Sequence, residues 1–187
     1  MTEKTAQKEP GKKPVPSKKP KPQQEVVVQI PLSELHPFPD HPFQVREDAS
    51  MQETAESVKE YGVLVPALAR PREDGGYELI AGHRRKHACE LAGLATMPVI
   101  VRDIDRDAAT IIMVDSNLQR ENILPSERAK AYKMKMEAIK RQGARTDLTS
   151  PKISAKFRSD DEVGQDAGVS GDTIRKYIAL TQLVPEL

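Results

Sequence analysis

A strand, a single glycine and a helix follow one another directly between residues 77 and 92, and this unit constrains the possible folds most. The apolar run from Tyr77 to Ala81 predicts a strand. Gly82 ends that run, and residues 83–92 have the pattern of a helix that stops at Gly93. A strand joined to a helix by one residue requires a domain that combines a sheet with helices.

The start of this helix is a candidate anion site. Backbone N–H groups in the first turn of a helix have no intrahelical partner, and the helix dipole is positive there. Gly82 permits close backbone approach, and Arg84 and Arg85 supply forked donors, with Lys86 and His87 behind them. Because helix starts usually favour acidic residues, this basic run favours a phosphate cradle over the alternative, an ordinary basic surface helix.

The surrounding segments predict an α+β domain over residues 25–124. A β-branched run indicates a first strand, and a proline-rich loop follows it. The spacing of Ser50 and Glu53 predicts a capping box at the start of a helix that Gly62 ends. The further predicted elements are strands at Val26–Ile30, Val65–Ala69 and Met97–Val101, a loop at His36–Phe43, and helices at about 51–61 and at Asp107–Asn117.

Charge is distributed unevenly along the chain. Residues 1–24 hold seven lysines against two glutamates and almost nothing apolar, so we predict a disordered basic tail rich in Lys and Pro. Residues 25–124 carry a net charge of −7, and residues 125–187 a net charge of +3. We therefore expect a polyanion to contact the tail and the C-terminal helices, although an ordinary solvated surface has similar charges.

Residues 125–187 predict an all-α region. Ser126 is expected to cap a helix to about Gln142, and residues 143–158 are interpreted as a loop or a poorly determined helix. Residues 160–179 resemble a DNA-binding helix-turn-helix, the alternative being a structural helix pair. Gly168 would form the turn, small Gly164 would let the helices approach, and Val163, Ile174 and Ile178 would pack between them. The predicted DNA contacts are Ser170, Thr173, Arg175 and Lys176, of which the two cations suit phosphates better than bases.

Several features that the sequence lacks indicate the cellular compartment of the protein. The sequence has neither an apolar run of about 18 residues nor an apolar N-terminal segment, which argues against a membrane span and a signal peptide. The single cysteine, Cys89, cannot form an internal disulfide, and no Cys/His cluster has zinc spacing. We therefore expect a cytoplasmic protein with no membrane partner and no structural metal.

Four segments resemble the sequence boxes of the ParB partition-protein family. Residues 82–88, Gly-His-Arg-Arg-Lys-His-Ala, are similar to the family's Gly-x-Arg-Arg-x-x-Ala box. Residues 39–46 resemble its first box, residues 61–66 its Gly-x-Leu-x-Pro segment, and residues 117–122 its third box. The segments keep the family's order and approximate spacing, so the combined match is specific although each one alone would be weak.

The resemblance implies a ParB/sulfiredoxin-like N-terminal domain with a small mixed sheet and flanking helices. It also implies binding of CTP with Mg²⁺, a helix-turn-helix for a palindromic, centromere-like site on double-stranded DNA, and nucleotide-driven clamp closure. Taken singly, several matching residues have plainer roles, such as loop hydrogen bonds, a helix cap or an ion pair. Carried over residue by residue, the nucleotide contacts are Gln44, Arg46, Gly62, Gly82, His83, Arg84, Arg85, Ala88, Asn117 and Arg120, with Asn117 as the candidate Mg²⁺ ligand.

Two positions depart from the family pattern. Ser116 and His83 stand where the third and second boxes usually have glutamate. Because Mg²⁺ prefers oxygen ligands and a serine hydroxyl is a weak neutral one, we expect CTP binding with slow or absent hydrolysis. Sulfiredoxins share the fold and use a cysteine beside the phosphate-binding glycine, but Cys89 lies almost two turns into the helix, which disfavours reductase chemistry.

The expected function is partition of a chromosome, plasmid or mobile element by a nucleoid-associated protein. The resemblance also implies a ParA/Soj-like Walker ATPase partner for the tail, and a homodimer or nucleotide-dependent self-association. The family continues into a C-terminal dimerisation domain, which we expect to be missing here. The alternatives are a sequence-specific transcription regulator with a vestigial nucleotide pocket, and a ParB-fold phosphotransferase or nuclease, which would need Asp115, Glu121 or His83 as its base or nucleophile.

Overall fold

The computed structural model describes residues 25–120, 123–147 and 159–183. The predicted tail at residues 1–24 lies outside the described residues, as do Glu121, Asn122 and the larger part of the predicted loop, residues 148–158. Within the described ranges, no helix has the length and apolar character needed to cross a membrane.

Five strands form one mixed sheet, which confirms the predicted α+β class. The strand order is β1-β5-β3-β4-β2. The pairs β1–β5 and β3–β4 are antiparallel, whereas β3–β5 and β2–β4 are parallel. The strands are β1 (Val27–Pro31), β2 (Leu35–Pro37), β3 (Ala67–Pro71), β4 (Tyr77–Ala81) and β5 (Thr96–Val101).

The short strand β2 contradicts the loop predicted from His36 onward. A 3₁₀ turn at Leu32–Glu34 separates it from β1, and Leu35 pairs with Tyr77 of β4. The Leu35 side chain is 2 % exposed. Burial and pairing with a distant strand therefore override the local loop signal of the prolines.

Six helices lie within the described ranges. The capping box predicted at Ser50 is wrong, because the Asp48 side chain accepts a hydrogen bond from the Met51 backbone N–H at 2.9 Å. The fourth helix continues to Asp147, so the helical alternative holds for residues 143–147. The helices are α1 (Ala49–Tyr61), α2 (His83–Leu91), α3 (Arg106–Leu118), α4 (Pro125–Asp147), α5 (Ser159–Ala167) and α6 (Gly171–Leu183).

A hydrophobic core covers each face of the sheet. Successive side chains of a strand point to opposite faces. Leu79 of β4 accordingly packs in one core with Met51 of α1 and Ala88 of α2, whereas Ile80 packs in the other with Met113 of α3. The helices thus enclose the sheet, and Gly82 leads from the end of β4 into α2.

A third core joins the last three helices. Tyr132 of α4 packs with Val163 of α5 and Ile174 of α6, and Ile178 adds to this cluster. The predicted packing of Val163, Ile174 and Ile178 is confirmed. Helix α4 also contributes buried Ala131 to the core that contains Ile80, so it contacts both parts of the molecule. The domain boundary placed between residues 124 and 125 stays a prediction.

Candidate functional site

Gly82 joins β4 to α2 in a conformation that other residues rarely adopt. Its φ angle is 110°, and a Cβ atom here would lie 2.8 Å from the Cβ of Ala67 on β3. The glycine therefore lets α2 begin directly against the sheet. Among the described residues, no side chain caps the start of α2, so its first N–H groups can meet a ligand.

Arg85 holds the segment that follows α1. Its Nη1 donates hydrogen bonds to the carbonyl oxygens of Val65 at 2.5 Å and Pro66 at 2.7 Å. Burial and the positive charge of Arg120 lower the pKa of Arg85. An arginine stays protonated in proteins, so Arg85 adds a fixed positive charge close to a second one.

Arg84 lines a hollow of about 360 Å³. Its Nη2 donates to the Ser50 hydroxyl at 3.1 Å and lies 3.7 Å from the Asp48 carboxylate. The hollow brings together four of the predicted nucleotide contacts, Gln44, Arg46, Arg84 and Arg120. The remaining lining residues are Phe43, Asp48, Ser50, Ile123 and Glu127.

A second hollow, of about 370 Å³, lies between α1 and the segment that Arg85 holds. Gly62, with a φ of 71°, ends α1 as predicted, and its N–H donates to the Val58 carbonyl oxygen at 2.9 Å. Leu64 and Val65 are 78 % and 64 % exposed and form part of the wall. This hollow therefore combines an apolar surface with the guanidinium of Arg85.

Glu127 of α4 was not predicted, although it organises the first hollow. Its two carboxylate oxygens accept hydrogen bonds from the backbone N–H groups of Gln44 at 3.1 Å and Leu124 at 3.3 Å. Partial burial and the charge of Arg84 lower the pKa of Arg120, and Glu127 acts in the opposite direction. An acidic residue in the first turn of a helix is common, so this role has no distinct signal in the sequence.

Asn117, Ser116 and Ala88 occupy positions that neither hollow reaches in the described structure. Asn117 is buried, and its Nδ2 donates to the Met113 carbonyl oxygen at 2.8 Å. The Ser116 hydroxyl donates to the same oxygen at 2.9 Å. Ala88 is fully buried in the core beneath α2. In this state Ala88 packs the helix, and the amide of Asn117 is directed into its own helix.

His83, the first residue of α2, contacts His41, for which the sequence predicts no separate role. The rings of His41 and His83 lie 4.0 Å apart between centroids. Burial, then His41, Arg120 and Lys86, lower the pKa of His83 to about 3. His83 is therefore neutral at pH 7. Since His41 lies in the loop after β2, far away in the sequence, only the fold brings the two rings together.

Lys86 and His87 bind carboxylates instead of extending the anion site. The Lys86 Nζ lies 2.7 Å from the Glu90 carboxylate. The His87 ring lies 3.2 Å from a carboxylate oxygen of Glu47 and 3.4 Å from one of Glu90. The positive charge available to a ligand at this end of α2 thus comes from arginines.

Helices α5 and α6 meet at a tight turn, as predicted. Gly168 has a φ of 69°. A Cβ atom at Gly164 would lie 2.6 Å from the Val169 carbonyl oxygen, so a small residue is needed where the helices approach. The Ser170 hydroxyl accepts from the Thr173 N–H at 3.2 Å and thereby caps α6.

Both cations on the exposed side of α6 are held by carboxylates. Arg175 hydrogen-bonds to Asp160 of α5 and to Asp172, the latter at 2.9 Å. Lys176 lies 3.3 Å from Asp172. Ser170, Arg175 and Lys176 are exposed and Thr173 is half-buried, so the predicted DNA contacts share one region of the surface.

The site at α2 suits an anion rather than a bare metal ion. No cluster of three or more His, Cys, Asp or Glu that could hold a metal occurs in the part of the chain that the structure describes. The oxygens of Glu127 accept from backbone N–H groups. Mg²⁺ usually takes few protein ligands and completes its shell with phosphate oxygens and water. The residues present therefore fit Mg²⁺ only as part of a nucleotide–metal complex.

Comparison with known proteins identifies relatives among the ParB proteins. The family model for the ParB N-terminal domain matches residues 16–118. The chromosome-partitioning protein Spo0J of Thermus thermophilus is 37 % identical over 161 residues, which cover 86 % of this chain and 52 % of Spo0J. Across the curated relatives it matches, this chain spans about half of their length or less.

Solved structures support the same relationship. The C-terminally truncated ParB of Caulobacter crescentus, in complex with the centromeric parS site, is 28 % identical with a TM-score of 0.55, and the match covers 82 % of this chain and 71 % of that one. A Pnob8-like ParB-N domain has a TM-score of 0.58 at 17 % identity, covering 85 % of this chain and 69 % of that one, and shows similarity of fold alone.

Proposed function

The chain belongs to the ParB family, and we propose that it is a partition protein that binds a palindromic, centromere-like DNA site under the control of CTP and Mg²⁺. The observation that carries the nucleotide half is the meeting of Arg84, Arg85 and Arg120 at the start of α2. Each of Arg85 and Arg120 has its pKa lowered by burial and by another arginine. A bound polyanion would relieve this repulsion.

The two hollows suggest how a nucleotide is arranged. Arg84 and Arg120 line the first one, and their guanidinium groups are donors suited to phosphate. The second offers the apolar side chains of Leu64 and Val65, which suit a nucleoside better than a phosphate. We infer that the phosphates lie at α2 and the base toward the Gly62–Pro66 segment. The choice of cytosine rests on the family resemblance.

Mg²⁺ would enter this site with the nucleotide. When bound, it would neutralise part of the phosphate charge. Asn117 is the candidate protein ligand: its Oδ1 would hold the ion, while its Nδ2 donates to the Met113 carbonyl oxygen. The described residues hold and orient the phosphates mainly through arginine.

The DNA half of the proposal places α6 against the duplex. The related Caulobacter protein was solved in complex with the centromeric parS site. In the present chain Gly164 and Gly168 set the close, tight turn that a helix-turn-helix needs. Phosphate oxygens would compete with Asp172 for Arg175 and Lys176. Binding to DNA would associate the protein with the nucleoid.

Slow or absent CTP hydrolysis is part of the proposal, because the two candidate bases within the described residues are poorly suited to the role. Asp115 lies 2.6 Å from the ammonium of Lys135, and His83 has its pKa lowered to about 3. The same facts disfavour a nuclease or phosphotransferase. Self-association, and contact of the basic tail with a Walker-type ATPase, are further proposals that rest on the family resemblance.

Selection of DNA sites from a random duplex pool, followed by fluorescence anisotropy, tests this function. We expect enrichment of a palindrome, and an affinity for it that changes when CTP and Mg²⁺ are added. Arg84→Ala should abolish the nucleotide effect, while Arg72→Ala, in the turn after β3, should keep it. An enriched site that ignores CTP would favour a transcription regulator with a vestigial pocket, and no enrichment would contradict the DNA half.

A further inference from the structure

Two half-buried imidazoles meet at the first residue of α2. The rings of His41 and His83 lie 4.0 Å apart at an interplanar angle of 47°. The Nε2 atoms of both rings are buried, and neither has a hydrogen-bond partner among the residues that the structure describes. Buried polar atoms are nearly always paired, so two adjacent exceptions beside an anion site need a functional explanation.

The protonation of His41 follows from its contact with the backbone. Its Nδ1 lies 2.7 Å from the Phe43 carbonyl oxygen, which can only accept, so Nδ1 carries the hydrogen. In the neutral ring, Nε2 is then a bare lone pair that repels a phosphate oxygen. A ring that carries a second proton would instead donate to that oxygen.

Positive groups face the pair from several sides. Lys86 lies on the same helix as His83, and Arg120 follows α3. Burial lowers the pKa of His83 most, and His41, Arg120 and Lys86 lower it further. Burial also lowers the pKa of His41, as does the charge of Arg120. The hydrogen bond to the Phe43 backbone raises it, and so does the negative charge of Glu127 on α4. Without a ligand, both rings are therefore neutral.

We propose that His41 and His83 share one proton that is taken up when phosphate binds at the start of α2, and that the charged ring donates to a phosphate oxygen. This inference rests on the proposed nucleotide binding and adds His41 to the contacts. The phosphate charge offsets that of Arg120 and Lys86, which otherwise keep the rings neutral. The two rings share a single proton because two positive charges this close would repel each other.

The proposed proton uptake explains how a histidine can serve at position 83, where the family usually has glutamate. A glutamate at this position stays negative and repels phosphate unless a cation intervenes. A histidine is neutral in the free protein and positive in the complex. Binding should therefore strengthen as pH falls, by up to about tenfold per pH unit for one proton, as long as the pH lies between the pKa values of the free and bound states.

Calorimetric titration of CTP with Mg²⁺ at several pH values between 8 and 6 tests the proposal. At each pH, buffers of low and high ionisation enthalpy report the number of protons taken up. The variants are His83→Gln and His41→Gln, with His36→Gln of β2 as the matched control and circular dichroism as the check of folding. Any protonation of the nucleotide itself is common to all four proteins and cancels in the comparison.

The wild type and His36→Gln should take up protons as the pH falls, and their affinity should rise relative to that of both site variants. Equal proton uptake and equal pH dependence in the wild type and His83→Gln would overturn the inference and leave the proposed function intact. If His41→Gln takes up as many protons as the wild type, the two rings do not share the proton. No binding by the folded wild type would remove the inference and the nucleotide half of the proposed function together.

Discussion

The ammonium nitrogen of Lys135 lies 2.6 Å from the carboxylate of Asp115, and the lysine side chain is 1 % exposed. The same nitrogen lies 2.8 Å from the carboxylate of Asp166. Burial opposes the charge, but hydrogen bonds to Asp115 and Asp166 raise the pKa of Lys135 overall. Lys135 on α4 therefore ties α3, which ends at the third box, to α5 of the helix pair that we propose binds DNA.

Replacement of Lys135 by methionine should destabilise the protein. Methionine preserves most of the aliphatic volume but leaves two neighbouring carboxylates without a counter-charge. Because Asp115 and Asp166 are 44 % and 55 % exposed, water compensates in part, and we expect a loss of about 1–3 kcal/mol in the free energy of unfolding. Urea unfolding followed by circular dichroism measures this change.

Lys133→Met is the matched control on the same helix. Lys133 is exposed, and no ion pair to another described residue involves it. Its replacement should change the unfolding free energy by no more than about 0.5 kcal/mol. Equal effects of the two substitutions would show that the ion pairs of buried Lys135 do not stabilise the junction of these helices.

Gly82→Ala should destabilise the start of α2 by more than the backbone strain of a glycine-to-alanine substitution alone. The new Cβ would meet the Cβ of Ala67 at 2.8 Å in addition to a strained φ of 110°. Gly75→Ala in the β3–β4 turn has a comparable φ of 89° but open space around the new atom. The turn variant isolates the backbone strain, of order 1 kcal/mol.

Thermal unfolding and nucleotide titration together separate these two effects. Gly82→Ala should unfold at a lower temperature than Gly75→Ala and should lose nucleotide binding, whereas Gly75→Ala should keep it. Retention of full binding by a folded Gly82→Ala protein would contradict the position assigned to the phosphates.

Asp172 and Lys176 should change DNA affinity in opposite directions. The Asp172 carboxylate holds both Arg175 and Lys176, and hydrogen bonds from these two cations lower the pKa of Asp172. Asp172→Asn removes this competition, so affinity for DNA should rise a few-fold. Lys176→Ala removes a proposed phosphate donor that is 81 % exposed, so affinity should fall for all sequences.

The salt dependence of binding checks the assignment to phosphates. If Lys176 contacts one phosphate, its removal should reduce the slope of log affinity against log salt by about 1. An unchanged slope in a variant with weaker binding would mean that Lys176 acts in another way.

The sequence predicted those parts of the molecule that local rules determine. The strand at Tyr77–Ala81, the helix that follows Gly82 and the turn at Gly168 depend on short-range apolar patterns and on glycine conformation, and all are present. The resemblance to the ParB family added the candidate nucleotide contacts, which lie in separate boxes of the sequence. Gln44, Arg46, Arg84 and Arg120 do line one hollow.

What the sequence could not predict depends on distant pairings. Strand β2 forms because β4 is available beside it, and the contact of His41 with His83 forms because a loop folds over the start of α2. Glu127 and Lys135 act through residues on other elements. No local pattern distinguishes such residues from ordinary helix charges, since their roles arise only when the elements pack.

Isothermal titration of CTP, ATP and GTP with Mg²⁺ into the purified chain is the decisive test of nucleotide binding at the start of α2. Arg84→Ala is the best variant, because Arg84 bonds only to the exposed Ser50 and Asp48 within the described structure, whereas Arg85 also holds the Val65 and Pro66 carbonyls. Arg72→Ala serves as the control. We expect selective binding of CTP by the wild type and the control, with at least a tenfold loss in Arg84→Ala. Equal CTP affinity in all three proteins, or no nucleotide binding by the folded wild type, would contradict nucleotide binding at the start of α2.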